Sequence, residues 1–245
     1  MFFFNPLEQF DIIIFFHLFN SNISITNITI MSFINLSIIC ILFTFYKQSI
    51  FKNNLIYIIN SLFFFIKSIL KDSISLLNYS VILLLFYLFI FLLLSNLIGM
   101  IPYSITITSH LIVTLYISLS FFIGTNLIGL LYHKETFFVL FLPEGIPLFI
   151  IPSLILIEYI SYFSKIFSLA IRLFANMMSG HILLKILIGF SWSLISLNVT
   201  ITFLSLISFF IVFLVIGLEF AIAFLQAYVF TILLIIYLND TINTH

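Results

Sequence analysis

The 245-residue chain is 64% hydrophobic and only 7% charged, and its eight Lys and Arg residues balance its eight Asp and Glu residues. Such a composition leaves too little polar surface to cover a soluble core of this size, which excludes an ordinary soluble protein. The neutral balance gives no sign of a nucleic-acid partner. Because lipid offers no water to unpaired backbone groups, repeated apolar stretches of about 20 residues predict one all-helical membrane domain over residues 1–245.

The beginning of the chain and its lone cysteine say little about the compartment. Residues 1–11 lack the basic region of a secretory signal and the Arg- and Ser-rich pattern of a transit peptide. This leaves either synthesis beside the membrane or a missing presequence. Cys40 lies within an apolar run, where a small buried hydrophobic residue is the default.

The first half of the chain predicts three spans and one interfacial helix. Residues 28–46 are long and apolar enough for one span. Residues 47–72 mix four lysines with aromatic and aliphatic side chains, which is typical of an amphipathic helix lying on the membrane. Residues 79–98 and 111–131 predict two more spans, separated by a segment whose proline and hydroxyl residues suit a turn at the interface.

Two long stretches follow a loop that contains Pro143, Pro147 and Pro152. Residues 153–190 and 200–239 contain no proline, and each predicts one helix roughly 60 Å long, about twice the thickness of the hydrocarbon core. The sequence therefore predicts an antiparallel hairpin of helices inclined by more than about 40° from the membrane normal. The alternative is two ordinary spans with helical extensions outside the membrane. The predicted fold class is an all-α integral membrane protein with about five spans, an interfacial amphipathic helix and this tilted hairpin.

Lysine positions orient the predicted spans. Four lysines follow the first span, and Lys134 follows the third. By the positive-inside rule, these loops face the cytoplasm or matrix. Five spans then place the N-terminus outside and the C-terminus inside.

Arg172 is the only arginine, and it lies within a membrane-competent run, residues 168–187. A charge at the bilayer centre costs at least about 2.5 kcal/mol, and a guanidinium does not escape this cost by losing its proton. Arg172 must therefore meet an anion or a water-filled cavity. The alternative is an internal ion pair that only holds helices together.

Arg172 belongs to a stripe of small and polar residues. At 100° per residue, the stripe stays within about 40° of one line and comprises Ser161, Lys165, Ser168, Arg172, Asn176 and Ser179. Small residues allow close approach of another helix, so the stripe predicts a docking surface beside an aqueous path. Serines that bond back to their own helix are the alternative, but they do not explain the alignment.

The other polar residues of the long helices predict a proton relay. His181, on another face of its helix, exchanges protons near neutral pH. Glu219 and Gln226 are seven residues apart and share a face. Glu158 and Asp240 lie near inner helix ends, where either alone is more often a solvated interfacial charge. Together, acidic and imidazole groups at separate depths indicate a relay.

The turn between the two long helices is predicted near residues 191–198. His181 then lies about ten residues before the turn and Glu219 about twenty after it, so contact would require the helices to be offset. We therefore expect the two side chains to share a water-filled cavity rather than a hydrogen bond.

These residues stand in segments that closely resemble the mitochondrial ATP synthase subunit a family and its alphaproteobacterial relatives. The matching segments are NPLEQF (5–10), NLIGMIPYSITITSHL (96–111), PEGIPL (143–148), SLAIRLFANMMSGHILLKI (168–186) and LEFAIAFLQAYVFTILLIIYLND (218–240). Ser179 stands where relatives often have alanine, and Lys165 where many have arginine. Residues 21–79 match no family motif.

The resemblance implies a non-catalytic, proton-translocating stator subunit that couples proton flow to rotation of a c-ring and to ATP synthesis. Arg172 would face the proton-carrying carboxylate of the c-ring and separate two half-channels. The half-channel open to the intermembrane space would be lined by Asn176, His181, Glu219 and Gln226. Glu158 and Asp240 would line the half-channel open to the matrix.

The resemblance also implies partners and a location. The partners would be the c-ring, other F0 and peripheral-stalk subunits and membrane lipid, with no cofactor and no nucleic acid. The location would be the mitochondrial inner membrane, with the bacterial plasma membrane as the alternative.

Other functions fit the sequence less well. A sodium-carrying version of the same subunit would favour an oxygen-rich path rather than an imidazole at His181. A self-contained secondary transporter would show internal repeats, and the sequence contains none. A purely structural subunit would leave Arg172 and its stripe unexplained. Neither GxxxxGKS nor GxxxxGKT occurs, so ATP chemistry is expected elsewhere in a complex.

Overall fold

A computed structural model describes residues 5–17, 24–48, 54–73, 79–101, 104–134, 149–197 and 202–242. In this part of the chain an N-terminal hairpin of two short strands precedes six α-helices. The helices are α1 (Asn27–Gln48), α2 (Asn54–Ser73), α3 (Tyr79–Gly99), α4 (Leu111–His133), α5 (Ile151–Leu197) and α6 (Thr202–Ile242). Five of these described helices, all except α2, are long and apolar enough to cross a membrane. The predicted all-α membrane fold is confirmed.

The hairpin before α1 was not predicted. Strands β1 (Ile14–His17) and β2 (Ser24–Thr26) pair antiparallel, with His17 opposite Ser24. Isoleucine and phenylalanine in β1 suit an extended strand, although its side chains are exposed. Thr26 and Thr29 exchange hydrogen bonds between each side-chain oxygen and the other's backbone N–H, at 3.0 and 3.4 Å. This reciprocal cap starts α1 directly after β2.

The amphipathic helix begins later than the predicted residue 47. Helix α1 continues through Gln48, and α2 begins at Asn54. On α2, Ile59 and Ile66 are buried, whereas Tyr57 and Phe64 are exposed.

Cys40 of α1 is exposed, which corrects the expectation of a buried residue. An apolar run between lipid and protein presents side chains to both.

Helices α5 and α6 contain 47 and 41 residues and are therefore roughly 70 and 60 Å long. Helix α5 begins at Ile151 and includes Pro152, which the first turn tolerates because its N–H would be unpaired there. Helix α5 also extends through Leu197, so residues 191–197, where the turn is predicted, are helical, and residues 198–201 lie outside the described residues. The steep tilt of this hairpin stays a prediction.

The chain forms two compact units, and each long helix contributes to both. The first unit combines residues 1–44, 90–110 and 173–227. The second unit combines residues 45–89, 111–172 and 228–245. In the second unit, Phe63 of α2 packs edge-to-face on Phe86 of α3 at a centroid distance of 5.3 Å. The functional groups divide between the units, and the single membrane domain stays a prediction.

Candidate functional site

Two polar side-chain pairs join α5 to α6 in the first unit. Asn176 Nδ2 donates a hydrogen bond to Gln226 Oε1 at 2.9 Å. His181 Nδ1 lies 3.5 Å from Glu219 Oε1. From the first pair to the second, the residue number rises on α5 and falls on α6. The two segments therefore run antiparallel. The fold therefore brings together the four residues predicted to line one half-channel.

His181 and Glu219 form no hydrogen bond among the described residues, as expected, but they lie closer together than the expected turn position implied. Their side chains approach within ion-pair distance, at 3.5 Å. The reason is that α5 remains helical through Leu197 and α6 begins at Thr202, whereas the turn was predicted at residues 191–198. The two residues thus lie almost equally far from these helix ends, and no offset of the helices is needed.

The centre of the site is buried and incompletely paired. Glu219 is only 2% exposed and Gln226 only 4% exposed. Among the described residues, neither carboxylate oxygen of Glu219 accepts a hydrogen bond, and His181 Nε2 and Gln226 Nε2 also have no hydrogen-bond partner. A buried polar atom left in this way costs about 1–3 kcal/mol unless water satisfies it. The arrangement therefore favours hydration around Glu219.

Gly180 makes the close approach of the helices possible. A Cβ built at Gly180 would lie 2.8 Å from Glu219 Oε1, closer than real Cβ contacts. Glycine therefore provides the space that the Glu219 side chain occupies, directly beside His181. No role was predicted for Gly180, although a glycine one residue before a candidate proton carrier is a signal that backbone space is needed there.

Asn96 and Thr108 hold α6 at the level of the site. Asn96 Nδ2 donates to the carbonyl oxygen of Ala223 at 3.1 Å, and Asn96 Oδ1 accepts from Thr108 Oγ1 at 2.9 Å. Both side chains are fully buried. Ala223 lies between Glu219 and Gln226 on the same face of α6. Sequence reasoning missed this network, and the available signal was an amide at the end of an otherwise apolar helix.

The other predicted site residues belong to the second unit. Arg172, Glu158 and Asp240 are all exposed. Among the described residues, no carboxylate lies within ion-pair distance of Arg172, so the alternative of an internal ion pair finds no support there. Along the predicted stripe, the exposed residues are Ser161, Ser168, Arg172 and Ser179. Asn176 and Lys165 are partly buried.

Aromatic and charged side chains cluster between α5 and α6 in the second unit. The Lys165 ammonium lies 5.4 Å from the Tyr237 ring centroid and 5.9 Å from that of Tyr162, within the range of cation–π attraction. Tyr162 also donates a hydrogen bond to Asn126 Oδ1. Arg172 and Asp240 both interact electrostatically with Tyr237. Tyr237 of α6 therefore lies within the electrostatic influence of Arg172 on α5 and of Asp240 on its own helix.

The described residues contain no set of side chains that could bind a metal ion. No group of three or more His, Cys, Asp or Glu side chains is placed to hold an ion there. The polar groups of the site instead consist of one carboxylate, one imidazole and two amides within membrane-spanning helices. This combination defines a multi-pass membrane protein with a buried polar path.

Comparisons with known proteins identify the family. The family model described as ATP synthase A chain matches residues 26–239. The chain is 44% identical to the ATP synthase subunit a of Chondrus crispus, over 98% of this chain and 97% of that protein. It is also 44% identical to the subunit a of Marchantia polymorpha, over 98% of this chain and 99% of that protein. The chain belongs to the ATP synthase A chain family, and the resemblance seen in its sequence is confirmed.

Proposed function

We propose that this chain is the non-catalytic, proton-translocating stator subunit of an F-type ATP synthase in the mitochondrial inner membrane. Membership of the ATP synthase A chain family supports the assignment to that complex. The observation that carries proton transport is the pair of the partly buried His181 and the buried Glu219, 3.5 Å apart within two membrane-spanning helices. A carboxylate and an imidazole this close can exchange a proton once a small movement brings them to hydrogen-bond distance, about 2.6–3.2 Å.

The first unit supplies the outer half-channel. His181 and Glu219 pass the proton, while Asn176 and Gln226 line the path. The Gln226 amide nitrogen, which has no hydrogen-bond partner among the described residues, donates to water and orients it. Burial of Glu219 at 2% exposure keeps its carboxylate away from lipid and from bulk water. The proton therefore moves inward along polar groups rather than through hydrocarbon.

Arg172 controls the transfer to the c-ring. Its exposed position on a stripe of small polar residues leaves the guanidinium available to a partner helix. A c-ring carboxylate can face lipid only when protonated, because an ionised group in hydrocarbon is strongly disfavoured. Near Arg172 the positive charge favours the ionised form, so the carboxylate releases its proton there.

The second unit supplies the inner half-channel. Glu158 and Asp240 receive the released proton and pass it to the matrix. The charge of Arg172 also repels a proton that would cross directly between the half-channels. Each proton moving down roughly 150 mV releases about 3.5 kcal/mol, and this energy is coupled to ATP synthesis only if the ring must turn for the proton to cross. The c-ring, the other F0 and peripheral-stalk subunits and membrane lipid are the expected partners.

The sodium-carrying version of the subunit is the alternative. Sodium is a hard cation that requires several oxygen ligands, whereas the His181–Glu219 pair contributes an imidazole beside a single carboxylate. This observation favours protons. Synthesis that persists in sodium-free buffer under an imposed proton gradient distinguishes the two ions.

Substitution of Arg172 tests the proposal. Arg172→Ala and Arg172→Lys are assembled into the complex, and ATP synthesis is measured in vesicles under an imposed proton gradient. Both variants are expected to lose synthesis, and Arg172→Ala is expected to leak protons. Lysine fails because an ammonium can lose its proton in a low-dielectric site and lacks the guanidinium fork. Normal synthesis by assembled Arg172→Ala would rule out the mechanism.

A further inference from the structure

A cavity of about 390 Å³ lies within the second unit, between residues 81–85 of α3, 120–128 of α4 and 234–238 of α6. Leu85, Leu234 and Leu238 line its deepest part and are only 2–3% exposed. Leu84 and Ser120 also line it but are exposed, so one side of the cavity opens at the surface of the protein. Because all three helices are long and apolar enough to cross a membrane, this α3–α4–α6 groove opens toward lipid.

The polar groups in the groove are already satisfied. Ser120 Oγ donates to the carbonyl oxygen of Ile117 at 2.8 Å, and Thr125 Oγ1 donates to that of Phe122 at 2.8 Å. Among the described residues, none of the buried polar atoms that have no hydrogen-bond partner lies in the lining of the groove. A bound water molecule needs about 2–4 polar partners, so the groove favours an apolar occupant.

The dimensions of the groove match an acyl chain. On α4 the lining extends over residues 120–128, which is about 12 Å along the helix axis. This length approaches half of a hydrocarbon core of about 30 Å, which is the depth of one leaflet. A partner helix about 10 Å across would need roughly 900 Å³ over the same length, more than twice the volume of the cavity. The groove therefore admits an acyl chain but not the body of a helix.

Gly124 leaves the middle of the groove open. No heavy atom lies within 4 Å of a Cβ built at this position. Glycine is unfavourable inside a helix, and here the missing side chain provides the space in which a chain can lie. Because an empty void would deprive the lining of its van der Waals contacts, a neighbouring acyl chain fills it.

The groove is held in shape at one end by contacts between α4 and α6. Leu238 and Ile242 form a buried cluster, and Val81 and Ile128 pack against it. His133 Nε2 donates to the carbonyl oxygen of Ile242 at 2.6 Å. These contacts fix the ends of α4 and α6 relative to each other, so the groove exists before a ligand enters and little ordering is needed on binding.

A lysine lies at this same end of the groove. Lys134 directly follows α4, about 9 Å beyond Ile128 along the helix axis. Its side chain is exposed and forms no ion pair with any described residue. A phospholipid whose chain lies in the groove would place its phosphate near this ammonium group, and an anionic headgroup is attracted by such a charge.

We propose that the α3–α4–α6 groove is a binding site for an anionic phospholipid, with one acyl chain between the three helices and the headgroup at Lys134. The chain packs against Leu234 and Leu238, on the segment of α6 that carries Tyr237 and Asp240. The lipid site is separate from the proton path and does not depend on the proposed function.

Photolabelling by a lipid tests the site in the assembled complex. The complex is reconstituted in phosphatidylcholine vesicles that contain a small fraction of phosphatidylglycerol with a diazirine in the middle of one acyl chain. After irradiation, labelled residues are located by mass spectrometry. Leu234 and Leu238 are expected to carry label although they are buried, because only a chain inside the groove can reach them. If neither residue is labelled while other membrane helices of the same sample are, something else covers the groove and the lipid site is overturned.

Gly124→Leu provides the variant that blocks the groove. Its side chain enters open space, so the fold is retained, and it is expected to abolish the labelling of Leu234 and Leu238. Gly189→Leu is the matched control, because no heavy atom lies within 4 Å of its built Cβ either, but it lies outside the groove. The control should be labelled as the parent is. Equal labelling of Leu234 and Leu238 in the two variants would contradict the site.

The headgroup is tested with two lipids that carry the same photoactivatable chain. One lysine near the membrane surface gives an anionic lipid about a fivefold advantage, so phosphatidylglycerol should label the groove about five times more than phosphatidylcholine. Lys134→Gln is expected to remove this preference and Lys134→Arg to keep it. Equal labelling of the parent by the two lipids would overturn the anionic headgroup. None of these yields involves ATP synthesis, so loss of the lipid site leaves the proposed function intact, and normal synthesis by Arg172→Ala leaves the lipid site intact.

Discussion

Gly180→Ala tests whether the close packing of α5 on Glu219 is required for transport. The added Cβ would lie 2.8 Å from Glu219 Oε1, 3.2 Å from Cδ and 3.3 Å from Cγ. Ordinary contact begins at 3.4 Å, so the carboxylate must move by about 0.6 Å or leave its rotamer. The movement carries the carboxylate away from its position 3.5 Å from His181.

Two opposing contributions decide the outcome of Gly180→Ala. Alanine is more favourable than glycine inside a helix by about 0.8–1.0 kcal/mol, while an off-rotamer side chain costs about 0.5–1.5 kcal/mol. Stability and assembly should therefore change little. The same 0.5–1.5 kcal/mol, added to the barrier for proton transfer, lowers the rate about two- to tenfold.

The assay is ATP synthesis in vesicles under an imposed proton gradient, expressed per amount of assembled complex. Gly189→Ala is the matched control, because Gly189 lies on the same helix and no heavy atom lies within 4 Å of its built Cβ. We expect Gly189→Ala to synthesise ATP at the normal rate. Equal rates for the two alanine variants would refute the reasoning from close packing.

Three further substitutions test the surrounding network. Glu219→Gln keeps the shape but removes the proton-carrying carboxylate, so synthesis should stop; a full rate would remove Glu219 from the path. Gln226→Leu deprives Asn176 Nδ2 of its acceptor, 2.9 Å away, and should slow proton-driven synthesis in an assembled complex, whereas an unchanged rate would make that bond purely structural. Thr108→Val leaves the fully buried Asn96 Oδ1 unpaired and should lower the free energy of unfolding by about 1–3 kcal/mol, measured by thermal denaturation of the complex. Thr108→Ser retains the hydroxyl and should match the parent; equal losses for both variants would contradict the hydrogen-bond explanation.

The membrane spans and the identity of the candidate site residues could be predicted from the sequence alone. Apolar length alone predicted the five spans, because lipid requires every spanning segment to satisfy its own backbone. A single arginine in an apolar run identified Arg172 as a candidate without any tertiary information, because its charge is costly in hydrocarbon. Helical phase placed Glu219 and Gln226 on one face of α6, and both are buried.

The two short strands and the contacts between distant residues could not be predicted from the sequence. The strands at Ile14–His17 and Ser24–Thr26 form a hairpin in a region where no family motif was recognised. Asn96 gains its role from Ala223, which lies 127 residues later in the chain. Such a contact depends on packing between separate helices, and no local pattern specifies it.

Only the tertiary structure decided the register between α5 and α6. Periodicity gives the angle of a side chain around its own helix axis, but not its height relative to a neighbouring helix. That height depends on where the turn falls. Because α5 is helical through Leu197, His181 and Glu219 lie 3.5 Å apart without the offset between the helices that a turn at residues 191–198 would require. The absence of a side chain at Gly180 then permits the approach. The sequence thus determined which groups are present in the membrane, and packing determined which of them meet, because contact depends on both helices at once.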